Sequence, residues 1–207
     1  MNRLLANKWT KVVLFLLCLA PLASLMWLAY QQDLGGNPIE YLTHATGDWC
    51  IRFVMLTLTI TPLRMLTNVP AFTRYRRMLG LYAFFYGCLH LIIYFTLSLG
   101  LDFSGLWEDI VKRPYITVGM AAWLSMLPLA ITSTAGWVRR MGFKNWQKLH
   151  KAIYFTAVAA VIHYWWLVKS DIRLPLLYAV IATILLGWRI VHKLRTPAPK
   201  KRVPVSV

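Results

Sequence analysis

Six long apolar runs, separated by short polar gaps, fill most of this 207-residue chain. Each run comes close to the roughly 20 residues that an α-helix needs to cross the hydrocarbon core of a bilayer. The chain is 58% hydrophobic and only 14% charged, whereas ordinary soluble domains are about a quarter charged. The pattern therefore predicts an all-α, six-helix transmembrane bundle. The runs are 12–30, 49–66, 78–101, 114–138, 149–168 and 174–191.

The short polar gaps exclude two other architectures. A soluble globular protein does not fit the apolar content, and the mean hydropathy is +0.54. A membrane protein with a separate soluble catalytic domain does not fit either, because domains seldom fall below about 50 residues. The longest gap, 31–48, has only 18 residues. We therefore expect a cytoplasmic N-terminus at 1–11, a six-span domain at 12–192 and a cytoplasmic basic tail at 193–207.

The charged residues predict the orientation of the bundle. Cytoplasmic loops of membrane proteins carry an excess of Lys and Arg. With the N-terminus in the cytoplasm, 18 of the 23 Lys and Arg fall on the cytoplasmic side, and all seven acids fall on the other. The sequence thus predicts cytoplasmic N- and C-termini. Membrane topology explains the net charge of +16 better than nucleic-acid binding does.

Two histidines lie inside predicted spans, where ionisable residues are costly and are functional candidates by default. His90 lies 12 residues into the third run and His163 lies 14 residues into the fifth. At 1.5 Å per residue both are about 18–21 Å from the cytoplasmic side. Two imidazoles that face each other at one depth suit the two axial positions of a haem iron. The sequence has no CxxCH motif, so such a haem would be of b type.

His150 opens the fifth run, about 20 Å further inward than His163. A second haem at that level would need another ligand on the third run, where Arg77 stands instead of a histidine. Arg77 would pair with a propionate or a lipid headgroup rather than bind iron. The second site therefore has only one of its two ligands, is completed by a ligand other than histidine, or is absent. His44, in the predicted first outer loop, and His192 are interpreted as interfacial or solvated side chains, and use of either by a quinone or a partner remains open.

Other chemistry is not indicated by the sequence. It contains no GxGxxG, P-loop or HExxH motif, and the loops are too short for a nucleotide-binding domain. Electrons must therefore arrive from another molecule and leave to another molecule. The basic cytoplasmic loops are suited to anionic lipid, a flavin phosphate or an acidic partner.

Several motifs resemble the ferric-reductase-like transmembrane cytochromes. They include RRMLGL at 76–81 followed by His90, TST at 132–134, WQKLHKAIY at 146–154 and the pair His163-Tyr164. ITPL at 60–63, KRPY at 112–115 and the overall length are similar to the haem-binding membrane subunits of bacterial methionine-sulfoxide reductase systems.

The resemblance implies a role in the bacterial cell inner membrane. Such subunits take electrons from the quinone pool or a cytoplasmic flavin reductase and pass them through haem b. The acceptor is a periplasmic molybdopterin-containing methionine-sulfoxide reductase that repairs oxidised proteins and itself carries the catalytic step. The resemblance assigns haem ligation to His90, His150 and His163, with one or two haems, and FMN as a further family cofactor.

Two alternatives remain open at the level of sequence. The first is a transmembrane b-type cytochrome that serves ferric-chelate reduction. The second is a haem-free transporter or assembly scaffold, in which the histidines pack or handle protons. The sequence does not fix the number of haems, the electron donor, the flavin and quinone residues or the oligomeric state.

Overall fold

A computed structural model describes residues 5, 7–168 and 170–195. Within those residues the chain is helical and contains no strand. The helices are α1 (Lys8–Tyr30), α2 (Pro38–Thr67), α3 (Thr73–Ile93), α4 (Phe103–Lys112), α5 (Pro114–Ile131), α6 (Ala135–Met141), α7 (Phe143–Leu149), α8 (Ala152–Leu167) and α9 (Arg173–Arg195). A short 3₁₀ turn, Pro70–Phe72, precedes α3, and a π-helical turn, Tyr94–Ser98, extends it.

Five segments of the described chain are long and apolar enough to cross a membrane: α1, α2, α3 with its flanking turns, α5 and α9. They confirm the first, second, third, fourth and sixth predicted spans as apolar helices. The fifth predicted span, 149–168, is interrupted by a turn at His150 and Lys151, and its helix α8 has 16 residues. At 1.5 Å per residue α8 is about 24 Å long.

Two parts of the chain that hydropathy assigned to loops are helical. The predicted gap 31–48 is mostly the first part of α2, so the placement of His44 in a loop was wrong. The Asn37 side chain accepts a hydrogen bond from the Glu40 amide, and Pro38 occupies the first turn; both are helix-start signals. The segment after α3 forms the amphipathic helix α4, which Asp102 caps. Both helical parts mix polar and apolar residues, so hydropathy averaged over a long window did not mark them as spans.

Two antiparallel helix pairs, α2 with α3 and α5 with α8, make the most extensive contacts of the bundle. Small residues allow the helices to approach closely, and Ala83 on α3 and Ala157 on α8 are completely buried. Both belong to one continuous apolar core that also includes Val54 and Met126. α9 packs on α8 and α2, while α1 packs on α2 and α3.

Tyrosine hydroxyls of α3 attach α1 to the bundle. Tyr82 donates to the Phe15 carbonyl at 2.8 Å, and Tyr75 donates to the Leu5 carbonyl. Tyr86, which is completely buried, donates to the Cys18 carbonyl at 2.9 Å and accepts from the Leu22 amide at 3.2 Å. Their spacing of seven and four residues puts them on one face of α3.

The predicted terminal segments fall largely outside the described residues. Of the predicted basic tail at 193–207, only 193–195 are described, and they continue α9. Of the predicted N-terminal segment at 1–11, residues 1–4 and 6 lie outside the description.

Candidate functional site

His90 of α3 and His163 of α8 face each other inside the bundle. Their ring centroids lie 6.2 Å apart, and the ring planes are nearly perpendicular, at 82°. α3 and α8 each carry the histidine in their second half. The structure therefore brings together the two histidines that the sequence placed at similar depth.

The hydrogen bonds of the two rings fix their tautomers. His90 Nδ1 lies 2.8 Å from the Thr43 carbonyl oxygen, and His163 Nδ1 lies 2.7 Å from the Tyr115 carbonyl oxygen. A carbonyl only accepts, so each Nδ1 carries the proton and donates it. Each Nε2 is then unprotonated and presents a lone pair. Metal-binding histidines are oriented in the same way, by donating their other ring N–H to a carbonyl or carboxylate.

A helix glycine lies against each imidazole. A Cβ at Gly47 would lie 3.1 Å from His90 Nδ1, and a Cβ at Gly119 would lie only 2.6 Å from His163 Nδ1. Each glycine follows the accepting carbonyl by four residues, in the first half of α2 or α5. The two histidines thus have matching supports, a carbonyl and a glycine one helical turn apart. The absence of a side chain lets each ring reach the backbone.

A cavity of about 220 Å³ contains both histidines and is bounded by α2, α3, α5 and α8. Its walls are mainly apolar, with Val54, Ile116 and Met126 among them. Trp123 also lines the cavity, and its buried Nε1–H has no hydrogen-bond partner. An unpaired buried donor costs free energy, so Trp123 is available to donate a hydrogen bond to a molecule bound in the cavity.

The donor set fits a haem iron with two axial imidazoles. A first-row metal ion bonds a histidine nitrogen at about 2 Å, so two opposed bonds span about 4 Å. A separation of 6.2 Å between the ring centroids leaves room for an iron bonded to both rings. Within the described part of the chain, no group of three or more His, Cys, Asp and Glu side chains is placed to hold a metal. Two imidazoles are too few for a structural zinc site, whereas a porphyrin itself supplies the other four ligands.

His150 lies at the other end of the bundle and is held differently. Its ring stacks on Trp146 at 4.0 Å, and its Nε2 lies 3.1 Å from the Thr132 hydroxyl. That hydroxyl donates its only proton to the Pro128 carbonyl at 2.6 Å. His150 Nε2 must therefore carry a proton and donate to Thr132. In this arrangement His150 offers no lone pair at Nε2, in contrast to His90 and His163.

A second cavity, of about 850 Å³, adjoins His150. None of the described residues that line it is acidic, and Met126 lines both cavities. Buried Arg189 Nε has no hydrogen-bond partner, although both terminal nitrogens bond to backbone carbonyls. This second cavity, called the basic cavity below, is therefore a strongly cationic environment suited to an anionic group. Its basic lining residues are Lys11, Arg74, Arg76, Arg77, Lys151 and Arg189.

The remaining residues singled out from the sequence have clear positions. Arg77 lines the basic cavity, with its guanidinium 5.9 Å from the Trp146 ring centroid. His192 stacks on Trp188 near the end of α9. His44 lines the cavity that contains His90 and His163, which sequence reasoning did not foresee.

Sequence reasoning also missed the supports at Thr43, Gly47, Tyr115 and Gly119. The available signal was a lone glycine inside a helical segment, which usually marks a close approach. That signal does not say what approaches, so the pairing with a particular histidine needs the fold.

Comparison with known proteins gives a consistent result. Residues 46–161 match the family described as ferric reductase like transmembrane component. A protein of Xanthomonas euvesicatoria is 51% identical over 203 residues, which are 94% of this chain and 93% of that protein. A protein of Azospira oryzae is 47% identical over 200 residues, 95% of this chain and 86% of that one. Both are called protein-methionine-sulfoxide reductase heme-binding subunit MsrQ. No solved structure is significantly similar.

Proposed function

Since the chain belongs to the family of ferric-reductase-like transmembrane components, we propose that it is a haem b subunit that carries electrons across the membrane. It is a multi-pass protein of the bacterial inner membrane. The two apposed imidazoles, each with Nδ1 bonded to a carbonyl, carry the proposal. His90 and His163 hold the haem through Nε2. When bound, the haem supplies a one-electron carrier.

The proposed topology has six spans, with both termini in the cytoplasm. α8 is the fifth crossing along the chain and brings the total to six, because it pairs with α5 as α3 pairs with α2 and carries its histidine towards the same end. The short α7 and the turn at His150 extend this crossing towards the cytoplasm. Residues 12–192 form the haem-binding domain. The basic cavity lies on the cytoplasmic side, as the charge rule requires.

The proposed partners rest on the relatives' names and on the resemblance of the sequence to haem-binding subunits of methionine-sulfoxide reductase systems. The relatives are named as subunits of a methionine-sulfoxide reductase. The electron acceptor is then a periplasmic molybdenum-dependent reductase that repairs oxidised proteins. The donor is the quinone pool or a cytoplasmic flavin reductase. The histidine cavity near the outer end suits delivery to a periplasmic acceptor.

The basic cavity is the proposed place for a second cofactor, either a second haem or FMN. The basic residues that line it would pair with propionates or a phosphate. His150 would bind a second iron only after Nε2 gives up its hydrogen bond to Thr132. A flavin would need no such change.

The test is the haem content of the purified chain and of its variants. We expect haem b in the wild-type protein, its loss in His90→Ala and in His163→Ala, and retention of the outer haem in His150→Ala. A colourless wild-type protein from haem-sufficient cells would contradict the proposal and favour a transporter or scaffold.

Purification with the partner distinguishes the acceptors. Retention of a periplasmic molybdoprotein on the tagged chain supports methionine-sulfoxide repair. Reduction of ferric chelates by the haem-loaded chain, without any such partner, would favour the metal-reducing alternative that the family description suggests.

A further inference from the structure

Asp109 of α4 reaches from the outer helix to the wall of the histidine cavity. It is buried, and it accepts a hydrogen bond from the hydroxyl of Tyr94, a cavity-lining residue one helical turn after His90. Its other oxygen lies 3.1 Å from Arg113 Nε. The carboxylate is thus held between a cavity tyrosine and an arginine four residues further along the chain.

A second acid–arginine pair lies in α2, on another wall. Asp48 lines the cavity directly, and Arg52, four residues later, lies 3.6 Å from it. Arg52 Nε donates to the Tyr178 hydroxyl at 3.1 Å, and the guanidinium lies 4.6 Å from the Trp49 ring centroid. These contacts fix the arginine, and through it the position of the carboxylate.

Charged side chains this close to an apolar cavity affect the oxidation state of an iron inside it, because oxidised and reduced iron differ by one unit of charge. A carboxylate stabilises the oxidised, more positive state, and a guanidinium stabilises the reduced one. Screening is weak at Asp109 and Asp48, which are 13% and 21% exposed. It is stronger at Arg113 and Arg52, which are 53% and 37% exposed. Net charge and hydrogen bonding near a haem are established determinants of its reduction potential. Burial of a carboxylate costs free energy unless it is paired, which explains why each acid has an arginine.

We propose that the pairs Asp109–Arg113 and Asp48–Arg52 set the reduction potential of the haem, with Tyr94 connecting the first pair to the cavity wall. This inference rests on the proposed function, because it requires a haem between His90 and His163. The four residues are positioning residues: they act on the iron through the field rather than by contact.

The test is a spectroscopic redox titration of the purified, haem-loaded protein. Asp109→Asn and Asp48→Asn should shift the midpoint to more positive values, since each removes a negative charge. Arg113→Gln and Arg52→Gln should shift it to more negative values. Midpoint shifts of opposite direction within one pair distinguish an electrostatic role from a structural one. If the substitutions merely loosened the site, the direction of the shift would not depend on which charge is removed.

A matched control lies on the same outer helix. Glu108 and Lys112 form an i, i+4 pair with 2.5 Å between Lys112 Nζ and Glu108 Oε1, but both are well exposed to solvent. Exposed pairs are screened, so Glu108→Gln should leave the midpoint unchanged. Acid and arginine variants that shift in the same direction, or acid variants that shift no further than Glu108→Gln, would overturn the proposal.

The haem content per polypeptide, measured first, separates failure of the proposed haem-binding function from failure of the proposed effect on the reduction potential. A wild-type protein without haem overturns the proposed function. If the protein binds haem but its midpoint potential is the same in the wild type and in the charge variants, only the present proposal is overturned. If Asp109→Asn does not accumulate, Arg113→Gln decides the sign for that pair, because this half-exposed side chain can be replaced with little effect on packing.

Discussion

Replacement of Gly119 by alanine tests how the fold orients His163. An added Cβ would lie 2.6 Å from Nδ1, 2.8 Å from Cε1 and 3.1 Å from Cγ of the His163 ring. Real Cβ atoms essentially never approach other atoms closer than 3.0 Å. The ring must therefore move, and its hydrogen bond to the Tyr115 carbonyl must lengthen or break.

The expected magnitude combines the steric overlap with the weakened hydrogen bond. Overpacking costs about 1–3 kcal/mol, and a broken hydrogen bond costs about 0.5–1.5 kcal/mol. The higher helix propensity of alanine than of glycine stabilises α5 by about 1 kcal/mol and offsets part of this cost. We expect the free energy of unfolding to fall by about 0.5–3.5 kcal/mol. Loss of the group that orients a metal-binding histidine lowers affinity about 10–100-fold, and we expect that loss for haem.

Two other glycines provide a graded comparison. Gly47→Ala meets the His90 ring at 3.1 Å, so its effect on haem affinity should be smaller. Gly187→Ala in α9 meets nothing within 4 Å, so its haem affinity should equal that of the wild type. Haem titration of the apoprotein in detergent gives all three affinities. If Gly119→Ala binds haem as tightly as Gly187→Ala, the proposed orientation of His163 is wrong.

Three further predictions concern other parts of the fold. Tyr86→Phe leaves the Cys18 carbonyl and the Leu22 amide without their hydroxyl partner. Thermal unfolding in detergent should therefore show a free energy of unfolding lower by about 1–2 kcal/mol. Unchanged stability would contradict the anchoring of α1 by this tyrosine. Ala157→Leu adds volume at a fully buried position of α8 and should lower the free energy of unfolding by about 1–3 kcal/mol in the same assay. Unchanged stability would contradict the close packing of α8 in the bundle. Thr132→Val removes the acceptor of His150 Nε2 but lies away from the cavity that contains His90 and His163, so the absorbance of the haem bound there should be unchanged; its loss would mean that the two ends are coupled.

The apolar helices and the two central histidines could be predicted from the sequence, because both depend on local quantities. Hydropathy over about 20 residues identifies a span, and a rise of 1.5 Å per residue converts sequence position into depth. His90 and His163 were thereby placed at one level. Only the folded bundle, in which both histidines enter one cavity, shows that the rings lie 6.2 Å apart.

The supports of the site could not be predicted, because they depend on contacts between distant segments. Thr43 and His90 are 47 residues apart in sequence, and Tyr115 and His163 are 48 apart. No local pattern encodes such a pairing. His44 was misplaced for a different reason: the first turns of α2 are polar, so hydropathy assigned them to a loop.

The role of His150 shows where a motif and the geometry differ. The WQKLH segment at 146–150 resembles a haem-ligand motif, whereas Nε2 of His150 donates to Thr132 in the structure. The sequence identifies the residue but not its tautomer, which depends on the single proton of a hydroxyl that is 18 residues away.

Electron paramagnetic resonance of the oxidised protein tests most directly whether His90 and His163 bind one haem iron from opposite sides. The proposal predicts a low-spin ferric signal with two imidazole ligands in the wild-type protein. That signal should persist in His150→Ala and disappear in both His90→Ala and His163→Ala. A wild-type haem that is high-spin, or a two-imidazole signal that survives both of those substitutions, would contradict the assignment.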